Sequence, residues 1–112
     1  MTDQELADAL VAAGILEVEV LRGTPFYILP GHYDCQGNET KGVARWAVND
    51  WRVAGACMGR CENFVIVLVN VIKRRNLGYA TEALHGEAVG EAQDESLPRA
   101  TCEAYVESLK GN

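Results

Sequence analysis

Phe64-Val65-Ile66-Val67-Leu68-Val69-Asn70-Val71-Ile72 is a run of nine residues with one polar member, and Lys73-Arg74-Arg75-Asn76 follows it directly. The run is too short to span a bilayer and too rich in β-branched side chains to favour a helix, so it predicts a strand. Successive strand side chains point to opposite faces, which puts Phe64, Ile66, Leu68 and Ile72 on one side and Val65, Val67, Val69 and Val71 on the other. A strand apolar on both faces calls for cover on both faces, and the pattern therefore predicts a central place in a helix-covered sheet.

Working outward, the segment before this run reads as a helix. Asn49 or Asp50 can cap it, Trp51, Ala54, Gly55 and Met58 share a face, and Gly59 ends it. After the run, Arg74-Arg75-Asn76-Leu77-Gly78 holds turn residues, and Tyr79 to Gly90 returns as one long strand with Tyr79, Thr81, Ala83, His85, Glu87 and Val89 on one side. A helix over part of this segment is the competing reading, since Ala and Glu are good helix formers. A final helix starts at Asp94 or Ser96 with Pro98 in its first turn. Leu97, Ala100, Thr101, Ala104, Tyr105, Ser108 and Leu109 form its inner stripe, and Lys110 and Gly111 mark its end.

At the N-terminal end, Thr2 with Glu5 makes a capping box, Leu6, Ala9, Leu10 and Ala13 share one helical face, and Gly14 stops a helix over 3–13. Ile15 to Leu21 alternates acids with apolar residues, as in a strand with one wet face. Arg22-Gly23-Thr24-Pro25 is turn chemistry, and Phe26 to Leu29 completes an antiparallel hairpin that Pro30-Gly31 ends. Residues 30–45 show no sustained period and read as a long loop, of the kind that often carries function. The order is α-β-β-α-β-β-α: a single α+β domain over 1–112, with one mainly antiparallel sheet of about four strands and helices on both faces.

Composition narrows the function classes. The chain has 112 residues, 48% of them hydrophobic and 23% charged, which is ordinary globular composition. Its net charge of −6 is uneven: residues 1–20 are negative by five, residues 79–112 negative by five, and residues 21–78 positive by four. An acidic total argues against direct nucleic-acid binding, which needs clustered Lys and Arg. Met1-Thr2-Asp3-Gln4-Glu5 has neither the basic region nor the apolar run of a secretory signal, and no segment reaches membrane-spanning length, so the expected location is the cytoplasm. In that reducing setting Cys35, Cys57, Cys61 and Cys102 are expected as free thiols.

Arg45-Trp46-Ala47-Val48-Asn49-Asp50-Trp51-Arg52-Val53-Ala54 and the later Glu91 to Ala104 stretch, which opens the last helix with small residues, resemble the approach to the central helix and the terminal helix of the phage ABA sandwich domain family. The similarity covers roughly residues 45–110. Where this family has a proline-serine approach to the helix, the chain has Ala47-Val48-Asn49. The resemblance implies an α/β/α sandwich in a phage or prophage setting, with no catalytic motif to carry over.

Several constellations admit chemistry. Cys57, Cys61 and Cys102 with His32 or His85 would suit zinc, but the chain lacks the tight C-x-x-C turn, and small buried hydrophobes are the plainer reading. Arg60 beside Cys61 is the one local hint of an activated thiol. His32, Asp34 and Cys35 form the densest cluster of reactive types, suited to a nucleophile with a histidine base or simply to binding. His85 near Glu82 and Glu87 reads as a strand-face histidine held by a carboxylate. Lys73-Arg74-Arg75 can meet phosphate or an acidic surface, or keep an apolar strand soluble. Trp46 and Trp51 read as core anchors, with an interface role as the alternative.

The expectation is a small phage-encoded accessory protein, not an enzyme, that binds a host or defence-system protein as anti-CRISPR-type inhibitors do. It requires no cofactor and no metal, and it touches neither nucleic acid nor membrane; a homodimer is compatible with it. The expected binding surface comprises His32, Tyr33, Asp34, Lys41, Arg45, Trp46, Lys73, Arg74 and Arg75. The alternative is a small-molecule or nucleotide-binding protein that closes the 30–45 loop over its ligand.

Overall fold

A computed structural model describes residues 1–71 and 76–110, the side chains of 67–77 aside. Its elements are α1 (Asp3–Ala12), β1 (Glu17–Leu21), β2 (Thr24–Tyr33), β3 (Glu39–Gly42), α2 (Ala44–Asn49), α3 (Trp51–Met58), β4 (Asn63–Val71), β5 (Asn76–His85), β6 (Ala88–Asp94) and α4 (Leu97–Lys110). The chain is α+β as expected, but it builds two three-stranded antiparallel sheets, β1-β2-β3 and β4-β5-β6, where the sequence pattern predicts one sheet of four. Two expected features account for the difference. Half of the expected 30–45 loop is strand, since β2 runs on to Tyr33 and pairs with β3, and the expected single strand over 79–90 is the β5–β6 hairpin.

The local signals hold where short-range chemistry decides them. Thr2 and Glu5 form the capping box in full, and Gly14 ends the helix at a φ of 80°. Leu21 pairs with Thr24 across a two-residue turn in which Arg22 (φ 52°) and Gly23 (φ 80°) are both left-handed, as a type I′ hairpin requires. His85 and Ala88 pair across Gly86-Glu87, with Gly86 at a φ of 65°. Asp50 leaves helical geometry, at φ −96° and ψ 131°, and its carboxylate accepts from the Arg52 N–H. The short α2 is thus an additional helix, and the expected helix is found as α3, with Asp50 as its cap and Gly59 at its end. Its buried stripe is Val53, Ala54 and Cys57, while Trp51 is 60% exposed and Trp46 half-buried, so Trp51 is no core anchor. The expected dry face of β1 is wet as well: Ile15 and Leu16 are buried ahead of the strand, and Val18 and Val20 within it are exposed.

The element covered on two sides is a helix. α4 lies against β5 and β6 on one side and against α1, α2 and α3 on the other. Toward the helices it offers Cys102, Tyr105 and Val106 to a core that includes Leu6, Leu10, Tyr27, Val48 and Val53. Toward the sheet it approaches at backbone distance, because a Cβ built on Gly90 of β6 would stand 2.0 Å from the Ala104 carbonyl oxygen and 2.2 Å from the Ser108 nitrogen. Small residues, Ala100, Thr101, Ala104 and Ser108, make that approach possible, and Thr81 Oγ1 of β5 donates to the Ala100 carbonyl at 2.7 Å.

β4, by contrast, is an outer strand that pairs with β5 alone. Val65 and Ile66 are 42% and 43% exposed. The expectation that this strand is the centre of a sheet is therefore overturned: β5 is central, with α4 against β5 and β6. The expected facing of Val67, Leu68, Val69, Val71 and Ile72 lies outside the described side chains, and Arg74, Arg75 and Gly111 are outside the described residues, while Asn76, Leu77 and Gly78, expected in a turn, open β5.

Candidate functional site

The feature that stands apart from the core is the outer half of the β2–β3 hairpin. Tyr27 and Leu29 of β2 are buried, yet every residue from Pro30 to Glu39 is exposed. Between the pairs Ile28↔Lys41 and Tyr33↔Glu39, four residues of β2 stand opposite Thr40 alone. Pro30 and Gly31 occupy this bulge, with Gly31 at a φ of 82°, so the dipeptide bends the hairpin instead of ending it.

The tip is ordered by its own hydrogen bonds. Gly37 N–H donates to the Asp34 carbonyl at 3.1 Å, and Asp34 N–H to the Asn38 carbonyl at 2.8 Å. The Asp34 carboxylate accepts from the amides of Gln36 at 2.8 Å and Asn38 at 3.0 Å, an Asx arrangement that holds the turn from inside. Gly37 supplies the left-handed position at a φ of 85°. Four internal bonds fix an element that no packing supports.

The outward face of this hairpin bounds an open groove of about 600 Å³, lined by Glu19, Ile28, Tyr33, Asp34, Glu39 and Lys41. Ile28 is its apolar floor, Tyr33 is 60% exposed at one end, and Lys41 Nζ meets the Glu19 carboxylate at 2.6 Å at the other. Three carboxylates against one ammonium leave the groove acidic. At the base of the hairpin, Trp46 stacks on Gly42, where an added Cβ would lie 3.1 Å from the indole. The Arg52 guanidinium stands 5.7 Å from the Trp46 ring centroid and is held there by two bonds of 2.9 Å to Asp50. Those bonds, ahead of the neighbouring amide, hold the Asp50 carboxyl below its ordinary range.

Of the expected binding residues, His32, Tyr33, Asp34 and Lys41 thus fall on one projecting element, with Trp46 half-buried at its root and Arg45 exposed on α2. Lys73, Arg74 and Arg75 lie outside the described residues. The enzymatic reading of His32, Asp34 and Cys35 finds no support in the contacts, because Asp34 is committed to the turn amides and, among the described residues, no hydrogen bond joins it to His32 or Cys35. His85 sits against the Tyr105 ring, centroids 6.2 Å apart, and among the described residues no carboxylate is hydrogen-bonded to it, although its neighbours suggest one.

The cysteines are all free. Cys57 and Cys102 are fully buried in the core, where the Cys102 thiol and burial push the Cys57 thiol far above its ordinary range. Arg60 does not activate Cys61. Its guanidinium donates to the carbonyls of Ala13 and Gly14, at 2.6 and 3.0 Å, closing the C-terminal end of α1, while burial and then Cys57 raise the Cys61 thiol. Among the described residues no group of three or more His, Cys, Asp or Glu is placed to hold a metal ion, and no helix is long and apolar enough to cross a membrane.

Sequence reasoning misses Glu19, Ile28 and Glu39 as groove residues. The alternation in β1 marks Glu19 as solvated, and its partner Lys41 becomes visible only once β3 is known to pair with β2. No family model, curated protein or solved structure matches the chain.

Proposed function

We propose that this chain is a non-enzymatic binding protein, a small cytoplasmic accessory protein of phage type that grips a host or defence-system protein with the β2–β3 hairpin and alters its activity. One observation carries the reading: the arm from Pro30 to Glu39 is exposed throughout, yet its tip is fixed by four hydrogen bonds of its own. An element that adds little to the core and is nonetheless held in one shape has its ordering entropy settled before a partner arrives, which favours tight association. Tyr33 supplies a rigid aromatic anchor of the kind that dominates interfaces. The carboxylates of Glu19, Asp34 and Glu39 favour a basic surface on the partner, such as a channel built for nucleic acid, which this acidic protein would occupy in its place.

The small-molecule alternative draws on the groove, whose volume suits a ligand. Its open form and three carboxylates oppose a phosphate-bearing ligand, so protein binding is the better fit. The test is quantitative capture from host lysate with the whole chain and with Tyr33→Ala. A specific protein retained by the first and lost by the second supports the proposal. Equal recovery by both refutes the hairpin as the gripping element.

A further inference from the structure

Four strands lie at the edges of the two sheets, and three of them carry charge: Glu17 and Glu19 on β1, Glu39 and Lys41 on β3, Glu91 and Asp94 on β6. Such charges discourage an edge from pairing with another strand. β4 differs in every respect that matters. Its nine residues, Asn63 to Val71, include no ionisable group and no proline. Its register with β5 runs unbroken from Asn63↔Leu84 to Val71↔Asn76, so no bulge twists the edge away. Val65 and Ile66, on opposite faces, are 42% and 43% exposed. On the free side, alternate residues direct outward about four N–H and C=O pairs that β5 does not satisfy.

We infer that β4 pairs antiparallel with β4 of a second copy of this chain, joining two three-stranded sheets into one of six strands across a two-fold axis. The occupant follows from charge. Each copy carries −6, so two copies repel least where they meet through an uncharged segment, and among the edge strands β4 alone provides one. In chain order an acid precedes the strand, Glu62, and the bases Lys73-Arg74-Arg75 follow it. Antiparallel pairing sets the acidic end of one strand beside the basic end of the other, whereas parallel pairing would set like against like. Lys73, Arg74 and Arg75 lie outside the described residues and are placed here by chain order. A two-fold contact of this kind is self-complementary and closes, which an open edge of one molecule cannot do alone. β4 lies in the other sheet from the β2–β3 arm, so this inference stands or falls independently of the proposed function.

Sedimentation velocity on the whole chain tests it. The expected result is a species of twice the 12.2 kDa chain mass, with the dissociation constant raised by about tenfold or more in Val65→Lys and in Ile66→Lys. Both positions are exposed, so these variants are expected to keep their far-ultraviolet spectra. Glu62→Lys should weaken the dimer too, with the difference shrinking as salt is raised. A chain that stays monomeric at about 100 µM overturns the inference. So does a dimer indifferent to both lysines, or a species that grows past two copies. Should both variants fail to fold, amide exchange on the natural chain decides: protection across Asn63–Val71 that rises with protein concentration supports pairing, and protection independent of concentration refutes it.

Discussion

Replacing Gly90 by alanine should be among the most damaging single-methyl changes in this protein. The added Cβ would meet the Ala104 oxygen at 2.0 Å, the Ser108 nitrogen at 2.2 Å and the Ser108 Cα at 2.8 Å. Ordinary contacts begin near 3.4 Å, so β6 and α4 must part by more than 1 Å. Neither can yield cheaply: β6 is paired to β5 along its length, and the far side of α4 is packed into the helical core through Cys102, Tyr105 and Val106. Overpacking of this kind costs about 3 kcal/mol, offset by less than about 1 kcal/mol from the stiffer unfolded chain. The net loss of about 2–3 kcal/mol corresponds to a fall in Tm of about 10 °C. Thermal and urea melts followed by circular dichroism measure it. Gly55→Ala is the matched control, since Gly55 is exposed in α3 with nothing within 4 Å of an added Cβ, and there alanine should stabilise by about 0.5–1 kcal/mol. If Gly90→Ala melts at or above the natural chain, the close seating of α4 on the second sheet is wrong.

Other outcomes follow from the same structure. Arg22 holds a left-handed φ of 52° in the β1–β2 turn, so Arg22→Asn should raise stability by about 1 kcal/mol, read as a higher urea midpoint; a lower midpoint would contradict the type I′ turn. Burial, then the hydrogen bond to Asp8, pushes the Tyr27 hydroxyl up to about 12. Because the folded value is raised, its contribution is intact below about pH 10 and lost between about pH 10 and 12. Tyr27→Phe should therefore be less stable by about 1 kcal/mol at neutral pH and show a shallower fall of Tm across the alkaline window, and an unchanged slope there would refute the assignment. Asp50 is held in the opposite sense, first by its bonds to Arg52, so its contribution is present at neutral pH and lost as pH falls below about 4. Asp50→Ala should lower Tm at pH 7 and converge with the natural chain in acid.

Punctuation was more legible in this sequence than placement. The Thr2–Glu5 capping box, the Gly14 stop, the Asp50 cap and the Arg22-Gly23 turn are each decided by a few neighbouring residues, and each is found where the pattern puts it. The position of β4 depends on which elements reach it. Apolar character on both faces shows that a strand would benefit from cover, and it does not show that the chain supplies any. The centre fell instead to α4, whose small residues give it a modest hydrophobic signal, and whose value lies in letting backbones approach at Gly90. The hairpin arm escaped for a related reason. Pro30-Gly31 stops most strands, and only a four-against-one bulge lets β2 continue to Tyr33. His32, Tyr33 and Asp34 could be singled out by residue type, whereas Glu19, Ile28 and Glu39 join them only through pairing between strands.

The fixed hairpin arm is proposed to grip a protein partner, and capture by three forms of the chain from one host lysate tests that proposal directly. The natural chain and Val65→Lys, which alters the other sheet, should retain the same specific protein. Tyr33→Ala should lose it while keeping the natural melting temperature to within about 2 °C, since Tyr33 is 60% exposed. Retention of that protein by a folded Tyr33→Ala chain would contradict the claim.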